Sequence, residues 1–165
     1  CITNGWNNTR RKEFQNAMAF SNEKAIILDY PDLSDGQKDN WEYCRKAITE
    51  DLELLVGYKK WKQIVTHNPD GEYGHVHHKM LDQMVTKVSK EKGCFEELYY
   101  FGVFWKKNEI PKGVVSNLSV QTLRKKRQLI LNYPAQFNTY QRQWSWMEPY
   151  EYWIKATKWN NKKEV

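Results

Sequence analysis

The stretch that most constrains this chain is Val65-Thr66-His67-Asn68-Pro69-Asp70-Gly71-Glu72-Tyr73-Gly74-His75-Val76-His77-His78-Lys79, which contains all four of its histidines. A short apolar segment, Gln63-Ile64-Val65, runs into a loop of Pro, Asp and two Gly, and then into a helix-like pattern. Such a strand-to-loop-to-helix junction is where α/β proteins place chemistry, because loops at the carboxyl ends of parallel strands form the ligand crevice. The junction therefore predicts both a fold and a site.

The remainder of the chain repeats that alternation. Cys1 to Thr3 reads as a strand stub followed by turn residues Asn4-Gly5 and Asn7-Asn8-Thr9, with Thr9 placed to cap a helix whose apolar positions are Phe14, Ala17 and Met18. Ala25-Ile26-Ile27-Leu28-Asp29 is a continuous apolar run of strand length, as in a sheet covered on both faces. The loop from Tyr30 to Gly36 follows it. From Asn40 the residues Trp41, Cys44, Ile48, Leu52 and Leu55 recur at intervals of three and four and predict a helix that Gly57 ends. Gln63 to His67 is the third strand. Leu81, Met84, Val85 and Val88 then give the next helix an apolar face, with Gly93 closing it and Leu98 to Phe104 following as a strand. Ser119 reads as the N-cap of a last helix through Leu123, Leu129, Ile130 and Leu131, which Pro134 breaks. Strand and helix alternating four times predict a parallel sheet with helices on both faces, in a single domain over residues 1–165. Within it, residues 133–165 form an aromatic-rich C-terminal segment. Its rings serve either to cover the sheet or to stack on sugars or bases, and burial is the commoner use.

Composition narrows the function classes. The formal charge of +6 permits anionic partners. The basic residues are dispersed, however, with runs only at Arg10-Arg11-Lys12, Arg124-Lys125-Lys126-Arg127 and Lys162-Lys163, which does not favour nucleic acid. Mean hydropathy is −0.87, and no apolar run approaches the ~18 residues of a membrane-spanning helix. Cys1, Cys44 and Cys94 lack metal-site spacing and read as reduced thiols of an intracellular reducing compartment or a cytosolic membrane surface; a bridge between two of them stays open.

His75 and His78, at i and i+3, leave one face of a helix that begins near Gly74, while His77 points elsewhere. Neutral imidazole ligates zinc and exchanges protons near neutral pH, so such a pair can divide those tasks; a polar surface loop is the alternative.

The segment Thr66-His67-Asn68-Pro69-Asp70-Gly71-Glu72-Tyr73-Gly74-His75-Val76-His77-His78 resembles the second signature of the LmbE-like deacetylases, the family of N-acetylglucosaminyl-phosphatidylinositol de-N-acetylase, commonly Gly-His-Pro-Asp-His. Cys1-Ile2-Thr3-Asn4-Gly5 with Arg10-Arg11-Lys12-Glu13 resembles that family's second strand and the opening of its next helix. Lys126 through Tyr133-Pro134-Ala135-Gln136, and Trp146-Met147-Glu148 to Trp153, resemble its closing helix, turn and tail.

The resemblance implies a Rossmann-like three-layer sandwich with a mostly parallel sheet, here lacking its first strand. It implies a zinc-dependent hydrolase that removes the acetyl group from an N-acetylated amino sugar, including an anionic or lipid-linked glycan. His78 would be a zinc ligand and His75 would meet the oxyanion or protonate the leaving amine. His77, standing where the family has Asp, or a backbone carbonyl would orient His75, and Arg10 and Asp35 would hold substrate. The family's first signature, His-Pro-Asp-Asp, supplies the other two ligands and the base. It does not occur here, so a preceding segment or a partner chain is expected to complete the metal site. Two other readings stand beside this one: a deacetylase-fold subunit without activity, used for sugar binding or assembly, and a basic aromatic module for nucleic acid.

Overall fold

The computed structural model describes residues 1–164, in chain order α1 (Asn8–Ser21), β1 (Leu33–Ser34), β2 (Gln37–Lys38), α2 (Arg45–Gly57), β3 (Ile64–Thr66), the short turn α3 (Gly71–Gly74), α4 (Val76–Glu91), β4 (Leu98–Phe101), α5 (Val120–Ile130), α6 (Phe137–Gln143) and β5 (Trp153–Lys155). They fall into two compact units. One joins residues 1–39 to 105–150, and the other joins 40–104 to the segment from Glu151 onward.

The expected Rossmann-like sandwich does not form. Among the described residues the strands are two to four residues long and belong to two separate sheets. One is the antiparallel β1–β2 hairpin. The other has the order β3-β4-β5, with β3 parallel to β4 and β5 antiparallel to β4. Cys1–Thr3 and the 25–30 run do approach each other, through a single parallel bridge between Thr3 and Tyr30 and through Leu28 N–H donating to Cys1 O at 2.9 Å. That pairing does not grow into a covered central sheet. Ile26 is 55% exposed, so the apolar run lacks the two-sided cover its composition predicts.

In the first unit, Asn7 rather than Thr9 caps α1, its side chain accepting from Arg10 N–H at 3.1 Å. The helix ends at Asn22 in the left-handed region, whose N–H turns back to Ala19 O. The hairpin turns on Asp35 (φ 53°) and Gly36 (φ 77°), both positive, as a two-residue type I′ turn requires. Ser119 caps α5 as the sequence predicts, accepting from Thr122 N–H.

In the second unit α2 and α4 supply the core. Ile48, Leu52 and Val56 of α2 and Met84, Val85 and Val88 of α4 are buried, each at i, i+4 or i+3 spacings that give one apolar stripe per helix. Full burial of one such side chain stabilises by roughly 1.5–3 kcal/mol. Trp41, 1% exposed, precedes α2 in a left-handed conformation instead of lying on it. The tail does more than cover the sheet: it returns as β5, places Ile154 opposite Tyr100, and sets the Trp159 ring edge-on to Tyr100 at 5.5 Å. This core holds the β3–α4 loop.

Candidate functional site

β3 ends at Thr66, and the loop that follows folds back on itself through Gly71, Glu72 and Gly74, all with positive φ. Gly71 takes φ +67°, where an added Cβ would sit 2.8 Å from Lys79 Cγ, and Gly74 takes φ +94°. Between them Glu72 holds φ 54°, ψ −76°, a strained conformation for a residue with a side chain that costs on the order of 1–3 kcal/mol. Asn68, 1% exposed, offsets that cost. Its carboxamide donates to Phe101 O (3.0 Å) and Gly102 O (3.1 Å) at the end of β4, while its Oδ1 accepts from Glu72 N–H (3.0 Å). Its backbone N–H donates to Glu72 Oε1 at 3.0 Å. One buried amide thus ties the sheet to the loop and aims the carboxylate.

Glu72 Oε2 lies between two imidazoles. His67 Nδ1 is 3.0 Å from it, and His78 Nδ1 also hydrogen-bonds to it. The two rings stack on each other, centroids 3.6 Å apart and 11° from parallel. One donor atom from each of His67, Glu72 and His78 lies within 4.8 Å of the others, and all three residues are half-buried. Burial alone would raise the Glu72 carboxyl; the hydrogen bonds from His67, His78 and the Asn68 N–H outweigh it and bring the pKa down to about 2. The carboxylate is therefore ionised across the physiological range.

The structure brings His75 and His78 together, ring centroids 4.4 Å apart, with the Tyr73 ring edge-on to both at 5.9 and 5.7 Å. His77 stacks flat on Trp41 at 4.2 Å and 1°, buried, with its ring 5.6 Å from that of His75 and outside the His67–Glu72–His78 cluster. Asp82, one turn beyond His78 on α4, is pushed up to about 6, first by burial, against a Thr86 hydrogen bond, and then by the charges of Glu72 and Asp70. In the first unit Arg10 Nη1 pairs with Glu13 at 3.3 Å, and the buried Glu13 also accepts Ala135 N–H at 2.7 Å. Asp35 is the first residue of the hairpin turn and is exposed.

Sequence reasoning singled out His78 and His75 but missed His67 and Glu72 as members of one cluster. They are five positions apart in a loop, where no fixed periodicity applies. The usable signal was Glu72 standing near two glycines able to take positive φ, which lets the chain double back over His67.

No protein-family model matches the chain, and no solved structure matches it. Over 90 residues it is 34% identical to an uncharacterized protein, L374, of Acanthamoeba polyphaga mimivirus; the match covers 54% of this chain and 38% of that protein.

Proposed function

We propose that this protein is a metal-dependent hydrolase that removes the acetyl group from an N-acetylated amino sugar, with His67, Glu72 and His78 as the metal ligands. The observation that carries this reading is the meeting of two imidazole nitrogens and one ionised carboxylate where the loop after β3 runs into the first turn of α4. Two nitrogens and one oxygen suit zinc, and an open fourth position is the mark of its catalytic sites. The candidate ligand atoms of His67, Glu72 and His78 lie within 4.8 Å of one another, so one ion could reach all three. The amide-hydrolase assignment and the sugar substrate are supported by the resemblance of the His67–His78 segment to the deacetylase signature.

When bound, such an ion lowers the pKa of a water molecule toward 7 and polarises a carbonyl. The chain supplies the rest. Asn68 holds the Glu72 carboxylate at its angle, and the Asn68 bonds to β4 make that angle a property of the sheet. His75, whose ring lies beside that of His78, carries the proton that a departing amine needs. His77, on Trp41, braces the first turn of α4 rather than taking part in chemistry.

Metal analysis of the purified full chain, paired with acetate release from N-acetylglucosamine-containing substrates, tests the reading. One zinc per chain is expected, lost with His67→Ala, Glu72→Gln or His78→Ala, together with acetate release that chelation abolishes. Tight zinc without acetate release would remove the hydrolase assignment, and no zinc would remove both.

A further inference from the structure

The first unit contains a cavity of about 480 Å³ between the last turns of α5, helix α6 and the residues up to Glu148. Its apolar walls come from Ile130, Leu131, Phe137 and the ring of Tyr140, and Arg127 and Glu148 are among its polar lining. Glu148, whose side chain is 8% exposed, accepts from Arg127 Nε at 3.0 Å. It also accepts from the Tyr140 hydroxyl, and burial followed by the Glu148 charge and that hydrogen bond pushes the phenol up to about 12. Among the described residues lining the cavity, the one carboxylate is therefore paired with a cation on one side and hydrogen-bonded on the other.

Arg127 is the reverse. Its side chain is 59% exposed, and its Nε is the one guanidinium nitrogen that the pair with Glu148 uses. Arg127 lines the cavity while Glu148 holds its Nε, and the terminal nitrogens of a guanidinium form an edge that takes an oxyanion through two parallel hydrogen bonds. Helix α5 adds to the field: Arg124, Lys125, Lys126 and Arg127 follow one another and the helix has no acidic residue. The volume is that of a small-molecule site, far more than a bare oxyanion fills.

We infer that this cavity binds a small organic anion, a carboxylate or phosphate ester whose oxyanion pairs with Arg127 and whose apolar or ring body lies on Phe137 and Leu131. The site lies wholly within the first unit and owes nothing to the His67–Glu72–His78 cluster. Two sources share this chemistry, and phenyl phosphate and benzoate represent them.

Calorimetric titration of the full chain, stripped of metal by chelator so that no oxyanion can bind an ion, is the test. Phenyl phosphate or benzoate is expected to bind one per chain at least about ten-fold more tightly than inorganic phosphate or neutral phenyl glucoside. The tighter of the two identifies the source. Arg127→Met should weaken binding by about ten-fold or more, and Arg127→Lys, which keeps the pair with Glu148 but not the fork, should weaken it measurably. Leu131 is 62% exposed, so Leu131→Glu leaves packing intact while placing a like charge at the mouth, and it should abolish binding. Lys125→Met, in the same basic run but not lining the cavity, should change affinity by less than about three-fold. Binding no tighter than that of inorganic phosphate, binding that survives Leu131→Glu, or equal losses from Lys125→Met and Arg127→Met would overturn the assignment. If Arg127→Met fails to fold, the Arg127→Lys and Leu131→Glu results decide.

Discussion

Replacing Asn68 by alanine removes the amide that joins β4 to the Glu72 loop, and its cost follows from the bonds it makes. Three side-chain hydrogen bonds disappear, to Phe101 O, to Gly102 O and from Glu72 N–H, in a position that is 1% exposed. At about 1 kcal/mol net for each, the loss is about 3 kcal/mol, and more if water does not reach the carbonyls left behind. Set against a typical total of roughly 5–15 kcal/mol, this is a large fraction of the stability of a small protein. Urea denaturation of the metal-free full chain, read by circular dichroism, should show a lower midpoint with little change in slope. A second readout separates packing from positioning. With nothing to hold the strained backbone of Glu72, zinc affinity should fall by about 10–100-fold, as when other outer supports of a metal ligand are removed. Asn68→Asp sharpens the result, because it keeps the acceptor for Glu72 N–H but turns an oxygen toward two carbonyl oxygens; it should be at least as destabilising at neutral pH. A stability loss below about 1 kcal/mol for Asn68→Ala, or unchanged zinc affinity, would refute the claim that this amide fixes the site.

Three further outcomes follow from the same geometry. The Glu72 carboxyl is lowered from 4.5 to about 2, so its contribution is fully present above the unfolded value and is lost as pH falls through the folded one. Acid titration of the metal-free chain should therefore show about 3 kcal/mol of stability disappearing between pH 4.5 and 2 that Glu72→Gln lacks; parallel curves for the two proteins would contradict it. Asp82 has the opposite sign: raised from 3.8 to about 6, it stabilises the unfolded state relatively as it ionises, so the wild type should lose stability between those pH values. Asp82→Asn should be more stable by up to about 3 kcal/mol above pH 6 and show no such slope, measured by thermal melts across pH with chelator present. His75→Ala should reduce acetate release by about 100-fold or more with zinc content unchanged, whereas His77→Ala, which empties the stack on Trp41, should lower the melting temperature first. The reverse pattern would exchange their roles.

The sequence by itself determined helices α1, α2, α4 and α5, though not α6, and the location of the candidate site. A period of 3.6 is written into one chain segment, so the stripes of α2 and α4 and the Ser119 cap needed no knowledge of neighbours. Cap choice already shows the limit: Asn7 and Thr9 are both competent, and only the closing geometry selected Asn7. The spacing of His75 and His78 predicts two rings on one helix face; the rings do lie 4.4 Å apart, but His75 is the extended residue that caps α4 and not part of the helix. Strands are different, because what makes them a sheet lies elsewhere in the chain. Ala25 to Asp29 has the composition of a central strand and ends half-covered, while Trp153–Lys155, hidden in an aromatic tail, completes the sheet antiparallel to β4. The Glu72 carboxylate also needed the third dimension. Its place between His67 and His78 depends on two glycines with positive φ, on a strained backbone, and on an amide anchored 33 residues away at Phe101. Local patterning fixes what a segment can become, and only the packing of distant segments decides which groups share a point in space.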